Sequence, residues 1–160
     1  MKVFFAFVLA LLFINYAAPA QTWESFNAGM DKAKASKKTI LVDIYTDWCS
    51  WCKKMDASTY SDTKVKEYLK KNFTIIKLNA EGKTPIVYKG KSMSPAEFAQ
   101  GMGVTGYPAT LFMKSDGDGI TLVPGYSEAP MFLHILTFIG ENRYEKQKFN
   151  DYLKEKGVKE

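Results

Sequence analysis

Residues Thr39 to Tyr45 (Thr-Ile-Leu-Val-Asp-Ile-Tyr) form a β-rich, nearly all-apolar run, and a Cys-x-x-Cys pair, Cys49-Ser50-Trp51-Cys52, follows directly after it. A run that apolar suits a central strand buried on both faces, and such a strand needs helices on both sides of its sheet. The cysteines then open a helix predicted to reach about Thr59. A strand running straight into a Cys-x-x-Cys helix is the context of a redox-active dithiol.

The remaining elements follow from periodicity. Trp23, Phe26, Met30 and Ala33 recur at helical spacing, which predicts an amphipathic helix over Thr22 to Ser36. Asp62 is placed to cap a helix through Asn72, with Val65, Tyr68 and Leu69 facing inward. Phe73 to Asn79 is a second strand. Glu81 to Ser94 is irregular, with a small hairpin around Lys89-Gly90, and Ser94 to Met102 is a short helix. Thr110 to Met113 and Ile120 to Val123 flank Asp116-Gly117-Asp118-Gly119, a hairpin signal. Ser127 to Gly140 is a helix with a broad apolar face, and Tyr144 to Lys156 a further surface helix. Strands alternating with helices, then an antiparallel hairpin, predict an α/β fold with a mixed central sheet.

The two cysteines carry the chemistry. A disulfide closing so short a loop removes little chain entropy and is a poor staple. The attacking species in disulfide exchange is the thiolate. The free N–H groups and dipole of a helix N-terminus stabilise that anion. Cys49 is therefore the expected nucleophile, its pKa falling from ~8.5 into roughly the 3.5–7.5 range. Lys53 and Lys54 push the same way and Asp47 opposes. Cys52, one turn on and pointing inward, is the expected resolving thiol. Zinc requires more Cys or His ligands than two cysteines and the lone His134 supply. Haem attachment requires His where Lys53 stands, so no cofactor or metal is expected. His134 shares a polar helix face with Thr137 and Glu141 and is expected to be solvated.

Asp43 sits in the middle of the apolar strand, where a carboxylate is costly without a role or partner. Burial raises its pKa and makes it a candidate proton acceptor for Cys52. Trp48 and Trp51 flank Cys49 and offer an apolar rim for substrate.

Composition bounds the setting. Lys2, the apolar stretch Val3 to Ile14 and Ala18-Pro19-Ala20 have the layout of a secretory leader over residues 1–20. The domain is then residues 21–160, its core at 39–140 and an extra C-terminal helix at about 144–156. An exported chain meets oxidising conditions. The formal charge of +5 is spread over lysine-rich helical faces, and no aromatic and basic stripe points to nucleic acid.

Three segments in register resemble the thioredoxin superfamily: Leu41 to Lys53, Lys77-Leu78-Asn79, and Gly103-Val104-Thr105-Gly106-Tyr107-Pro108. From Asp47 through Asp62 the chain is similar to the C-terminal thioredoxin-like domain of the bacterial transmembrane thiol:disulfide interchange protein. It is also similar to small exported thioredoxin-like proteins. The resemblance implies a thioredoxin fold and a cis Pro108. It also implies a base role for Asp43 with Lys77 as its neighbour. A cis Pro108 would turn the polar backbone of Tyr107 toward an extended substrate segment beside Cys49. The chain departs from the family in four places. Ser50-Trp51 replaces Gly-Pro, Ala109 stands where Thr often follows the proline, no first strand precedes the opening helix, and the 81–94 connection is long.

The expected activity is exported thiol–disulfide exchange, in which Cys49 attacks and Cys52 resolves. The partners are disulfide-containing proteins and a membrane thiol–disulfide electron donor. The chain is expected to be a periplasmic or secreted monomer. A base aimed at the resolving cysteine favours reductive release. The alternatives are a disulfide oxidase or isomerase, or a binding module with regulatory cysteines.

Overall fold

The computed structural model describes residues 22–158. The leader expected over residues 1–20 lies outside them.

Four strands form the main sheet in the order β2-β1-β5-β6. Strand β1 (Thr39–Tyr45) lies inside it and β2 (Phe73–Asn79) at one edge. Strands β5 (Ala109–Met113) and β6 (Gly119–Pro124) complete it. β1 runs parallel to β2 and antiparallel to β5, and β6 returns antiparallel to β5. β1 is apolar on both faces because both are covered. Successive side chains on a strand point to opposite faces. Ile40, Val42 and Ile44 join the cluster built around Phe26, Ala33 and Phe98, from helices α1 (Phe26–Ser36) and α4 (Pro95–Gly101). Leu41 faces the other way, onto Met55, Leu69, Phe132 and Leu136. Those come from α2 (Ser50–Ser58), α3 (Thr63–Asn72) and α5 (Ala129–Gly140). Asp43 follows Leu41 by two and so points toward the α2 face. Burying one Leu or Ile side chain stabilises by roughly 1.5–3 kcal/mol, so two such layers hold β1 in a single register.

Local chemistry sets the ends of these elements. Asp62 Oδ1 accepts the Val65 amide at 3.0 Å, capping α3 as expected. At α4, Ser94 Oγ accepts the Glu97 amide while Glu97 Oε2 accepts that of Ser94, a reciprocal cap preceding Pro95. Lys89 and Gly90 take φ of 49° and 77°, the left-handed pair a two-residue turn needs. That turn joins β3 (Ile86–Tyr88) to β4 (Lys91–Met93), the hairpin expected inside the long connection.

Three expectations need correction. The first helix begins at Phe26 rather than Thr22, because Glu24 is bridged to β2 in parallel. Its amide donates to Ile75 O at 2.9 Å, and its carbonyl accepts from the Lys77 amide at 3.1 Å. A one-residue bridge thus stands where no first strand was expected. The C-terminal segment is a 3-10 turn (Arg143–Glu145) followed by α6 (Phe149–Glu155), not one surface helix. Its Tyr152 is 1% exposed and belongs to the core. The ring of Tyr152 lies 6.2 Å from that of His134, which is half-buried rather than solvated. Among the described residues no helix is long and apolar enough to cross a membrane.

Candidate functional site

Strand β1 delivers the cysteines. After Tyr45 the chain turns through Thr46-Asp47-Trp48, held by the Cys49 amide donating to Thr46 O at 3.2 Å. Cys49 is then the N-cap of α2, and its Sγ accepts the Cys52 amide at 3.0 Å. This is the expected anion-stabilising contact: a donor of the helix N-terminus aimed at the first sulfur. Cys49 and Cys52 are joined as a disulfide, with Cα atoms 5.3 Å apart. They are 4% and 5% exposed, so in the oxidised state burial alone does not distinguish the two sulfurs.

Asp43 lies under the same helix. It is buried, and its register partners are Lys77 on β2 and Thr110 on β5. Lys77 Nζ stands 3.3 Å from Asp43 Oδ2 and also contacts Asp56 Oδ1. Asp56 is four residues after Cys52, so the two share one face of α2 one turn apart. Lys77 thus links Asp43 on the sheet to Asp56 on the cysteine helix, one turn after Cys52. Tyr60 closes the far side, with its hydroxyl 3.2 Å from that of Thr110 and its ring edge-on to Trp23 at 4.9 Å.

The charges in this group are unequal. Burial pushes Asp43 up to about 6, against the opposing pull of Lys77 and with a smaller push from Asp56. For Lys77, burial pulls the ammonium down, but Asp43 and Asp56 outweigh it, so its pKa is raised. The rings of Trp23 and Tyr45 each face Lys77 Nζ at 5.1 Å and help hold the cation. Asp43 is thus a carboxyl that can take or give a proton near neutral pH, while Lys77 stays charged. Burial also pushes the Tyr60 hydroxyl well above its usual value, with Asp43 adding to it, so Tyr60 acts as a neutral hydrogen-bonding group.

The rim consists of exposed aromatic groups. Trp48 is 65% exposed and Trp51 is 54%. The Trp48 indole N–H donates to Glu81 Oε1 at 2.9 Å, and its ring meets that of Tyr107 edge-on at 6.0 Å. The Tyr107–Pro108 peptide is cis, and β5 starts immediately after it, with Ala109 opposite Ile44. The structure thus pairs Cys49 with Cys52, Asp43 with Lys77, and Trp48, next to Cys49 in the chain, with Tyr107 of the cis Tyr107–Pro108 peptide. Trp51 packs on Tyr126, in the β6–α5 connection, at 5.3 Å.

Sequence reasoning missed Asp56, Tyr60, Glu81 and Tyr126. The spacing of four from Cys52 was the available signal for Asp56. The other three depend on tertiary packing. Among the described residues no group of three or more His, Cys, Asp and Glu is placed to hold a metal.

The disulfide at the start of α2 places the chain among the thiol–disulfide oxidoreductases. The chain belongs to the thioredoxin-like domain family, whose pattern matches residues 26–140. It is 32% identical over 109 residues to the thiol:disulfide interchange protein DsbD of Yersinia pestis, a match covering 65% of this chain and 16% of that protein. The chain therefore spans only a small part of the curated relatives it matches. A thioredoxin-fold protein from Helicobacter pylori superposes with a TM-score of 0.63 at 25% identity, covering 76% of this chain and 80% of that one. The oxidised C-terminal domain of Neisseria meningitidis DsbD shares the fold, with a TM-score of 0.52 at 23% identity, covering 78% of this chain and all of that one.

Proposed function

We propose that this protein is an exported reductase of protein disulfides. Cys49 is its nucleophile, Cys52 its resolving thiol and Asp43 the proton acceptor for Cys52. The observation that carries the reading is the buried Asp43 carboxyl, raised to about 6, on the sheet face that packs under α2. In the dithiol form, Cys49 thiolate attacks a substrate disulfide; a mixed disulfide forms and one substrate thiolate leaves. Cys52 then gives its proton to Asp43, and its thiolate attacks Cys49 Sγ. The second substrate thiolate departs, and the protein is left with the Cys49–Cys52 disulfide present in the structure. Two electrons have passed to the substrate, and a membrane dithiol donor must return them.

Trp48, Tyr107 and Pro108 form the wall on which an extended substrate segment lies, and Lys77 keeps Asp43 ionisable. The leader-like residues 1–20 and the similarity to DsbD support export to a periplasm.

One contact favours the opposite direction. The Cys52 amide donating to Cys49 Sγ stabilises a Cys49 thiolate, which makes a disulfide more oxidising and suits an oxidase or isomerase. Single-turnover kinetics of the resolving step test the reductase reading. In the wild-type protein the step accelerates as pH rises through about 6, and Asp43→Asn removes that inflection. The same pH profile in both proteins would remove Asp43 from the mechanism.

A further inference from the structure

Two lysines near the cysteines sit over pairs of aromatic rings, and only one of them has a counter-ion. Lys77 lies over Trp23 and Tyr45 and is paired with Asp43 and Asp56. Lys54 Nζ lies 4.7 Å from the ring of Trp51 and 4.9 Å from that of Tyr126. Among the described residues its ammonium makes no hydrogen bond or ion pair, while its carbonyl accepts from Ser58 Oγ at 2.7 Å. The arrangement is built from two segments, α2 and the β6–α5 connection. Trp51, Lys54 and Ser58 follow one face of α2, and Ser58 Oγ lies 3.2 Å from the Tyr126 hydroxyl, tying the β6–α5 connection to the helix. Lys53 adds like charge next to Lys54. Glu128, the N-cap of α5, is exposed and does not pair with Lys54.

The opposite wall carries the opposite sign. There Trp48 is held by the carboxylate of Glu81, on the β2 side of the sheet. Two exposed indoles therefore border the disulfide, one fixed by an anion and the other topped by an uncompensated cation.

We propose that Trp51, Lys54 and Tyr126 form a second substrate-contact platform, which receives a carboxylate-bearing segment of the disulfide partner on the β6 side of the site. This rests on the reading that the cysteines exchange with protein disulfides. The partner's acidic side chain supplies the counter-ion that Lys54 lacks, and a neighbouring apolar side chain lies on the exposed face of Trp51. Both indoles are already held by contacts within the protein, so little side-chain freedom is lost on binding. Glu81 on the other wall disfavours the same acidic residue there, which gives the substrate a preferred polarity across the cysteines. Tyr126 acts as a positioning residue for Lys54.

The test uses cysteine peptides activated as mixed disulfides with 2-nitro-5-thiobenzoate and the full chain carrying Cys52→Ser. Cys49 thiolate attacks the peptide sulfur, a Cys49–peptide disulfide forms, and nitrothiobenzoate leaves as a coloured thiolate with the electron pair. One disulfide is consumed and one formed. Peptides carry Glu two residues before or two residues after the cysteine, each with a Gln analogue. One Glu isomer is expected to react about threefold faster than its Gln analogue, the size of an exposed ion pair. Adding Lys54→Gln brings that ratio to about one, Lys54→Arg retains it, and Lys54→Glu inverts it. Tyr126→Ala lowers the ratio, and high salt shrinks it. Glu and Gln peptides reacting alike in both positions would overturn the platform, as would a ratio that survives Lys54→Gln. A parent protein inert toward every peptide would overturn the oxidoreductase reading itself.

Discussion

The ammonium of Lys77 stands 3.3 Å from the buried carboxylate of Asp43, its register neighbour on the adjacent strand, yet Asp43 remains harder to ionise than a free aspartate. Burial outweighs the cation, so this ion pair tunes a proton site more than it stabilises the fold.

That balance predicts a sign for the pH dependence of stability. Asp43 ionises near 3.8 when unfolded and near 6 when folded. Between those values the folded chain binds more protons than the unfolded chain, so stability falls as pH rises through the window. The loss from this group is about 3 kcal/mol. Asp43→Asn removes it and leaves Lys77 its contact with Asp56. Urea unfolding at about pH 4 and about pH 7 checks this. The variant gains stability over wild type at the higher pH, and no gain there would mean the charge is not held at a cost.

The cysteine roles separate in a trapping experiment. Cys49→Ser abolishes disulfide reduction, and its hydroxyl still caps α2. Cys52→Ser leaves a nucleophile that accumulates substrates as stable mixed disulfides, visible on non-reducing gels. Iodoacetamide labelling of the reduced protein near neutral pH modifies Cys49 faster. Faster modification of Cys52 would reverse the assignment.

Glu81 tests whether the Trp48 wall is preformed. Glu81→Ala frees an indole that is 65% exposed and raises KM for a protein disulfide about two- to fivefold, in keeping with the loss of one exposed charge-assisted bond. Glu81→Gln keeps an acceptor and recovers most of the effect. Equal KM values in all three proteins would show that Trp48 needs no anchor.

The packing of α1 on β2 has its own test. A Cβ added at Gly29 would meet Ile76 Cγ1 at 2.3 Å, a contact side chains do not tolerate. Helix propensity alone favours Ala over Gly by ~1 kcal/mol. Overpacking costs typically 1–3 kcal/mol and wins at so short a distance. Gly29→Ala therefore lowers the urea midpoint; a raised midpoint would mean that α1 shifts freely.

Much of this site was legible because its signals are local. The bounds of β1 and β2, the Asp62 cap, the Lys89-Gly90 turn and the cysteine helix each depend on a few neighbouring residues. The Asp43–Lys77 pairing came through the resemblance to a known family. What the sequence hid depends on distant packing. The Glu24 bridge is a single residue and has no period. Tyr126 meets Trp51 only because the β6–α5 connection passes over α2. Tyr152 was concealed among lysines (Lys146, Lys148, Lys154 and Lys156) that gave its segment the pattern of a surface helix.

Net reduction by this protein is decided by the equilibrium reduction potential of the Cys49–Cys52 couple, measured against glutathione. Known thioredoxin-fold couples range from about −270 mV for thioredoxin to about −120 mV for a strong oxidant. A reductase is expected to show a potential more negative than about −200 mV. A value near −120 mV would contradict net reduction and make the protein a disulfide donor.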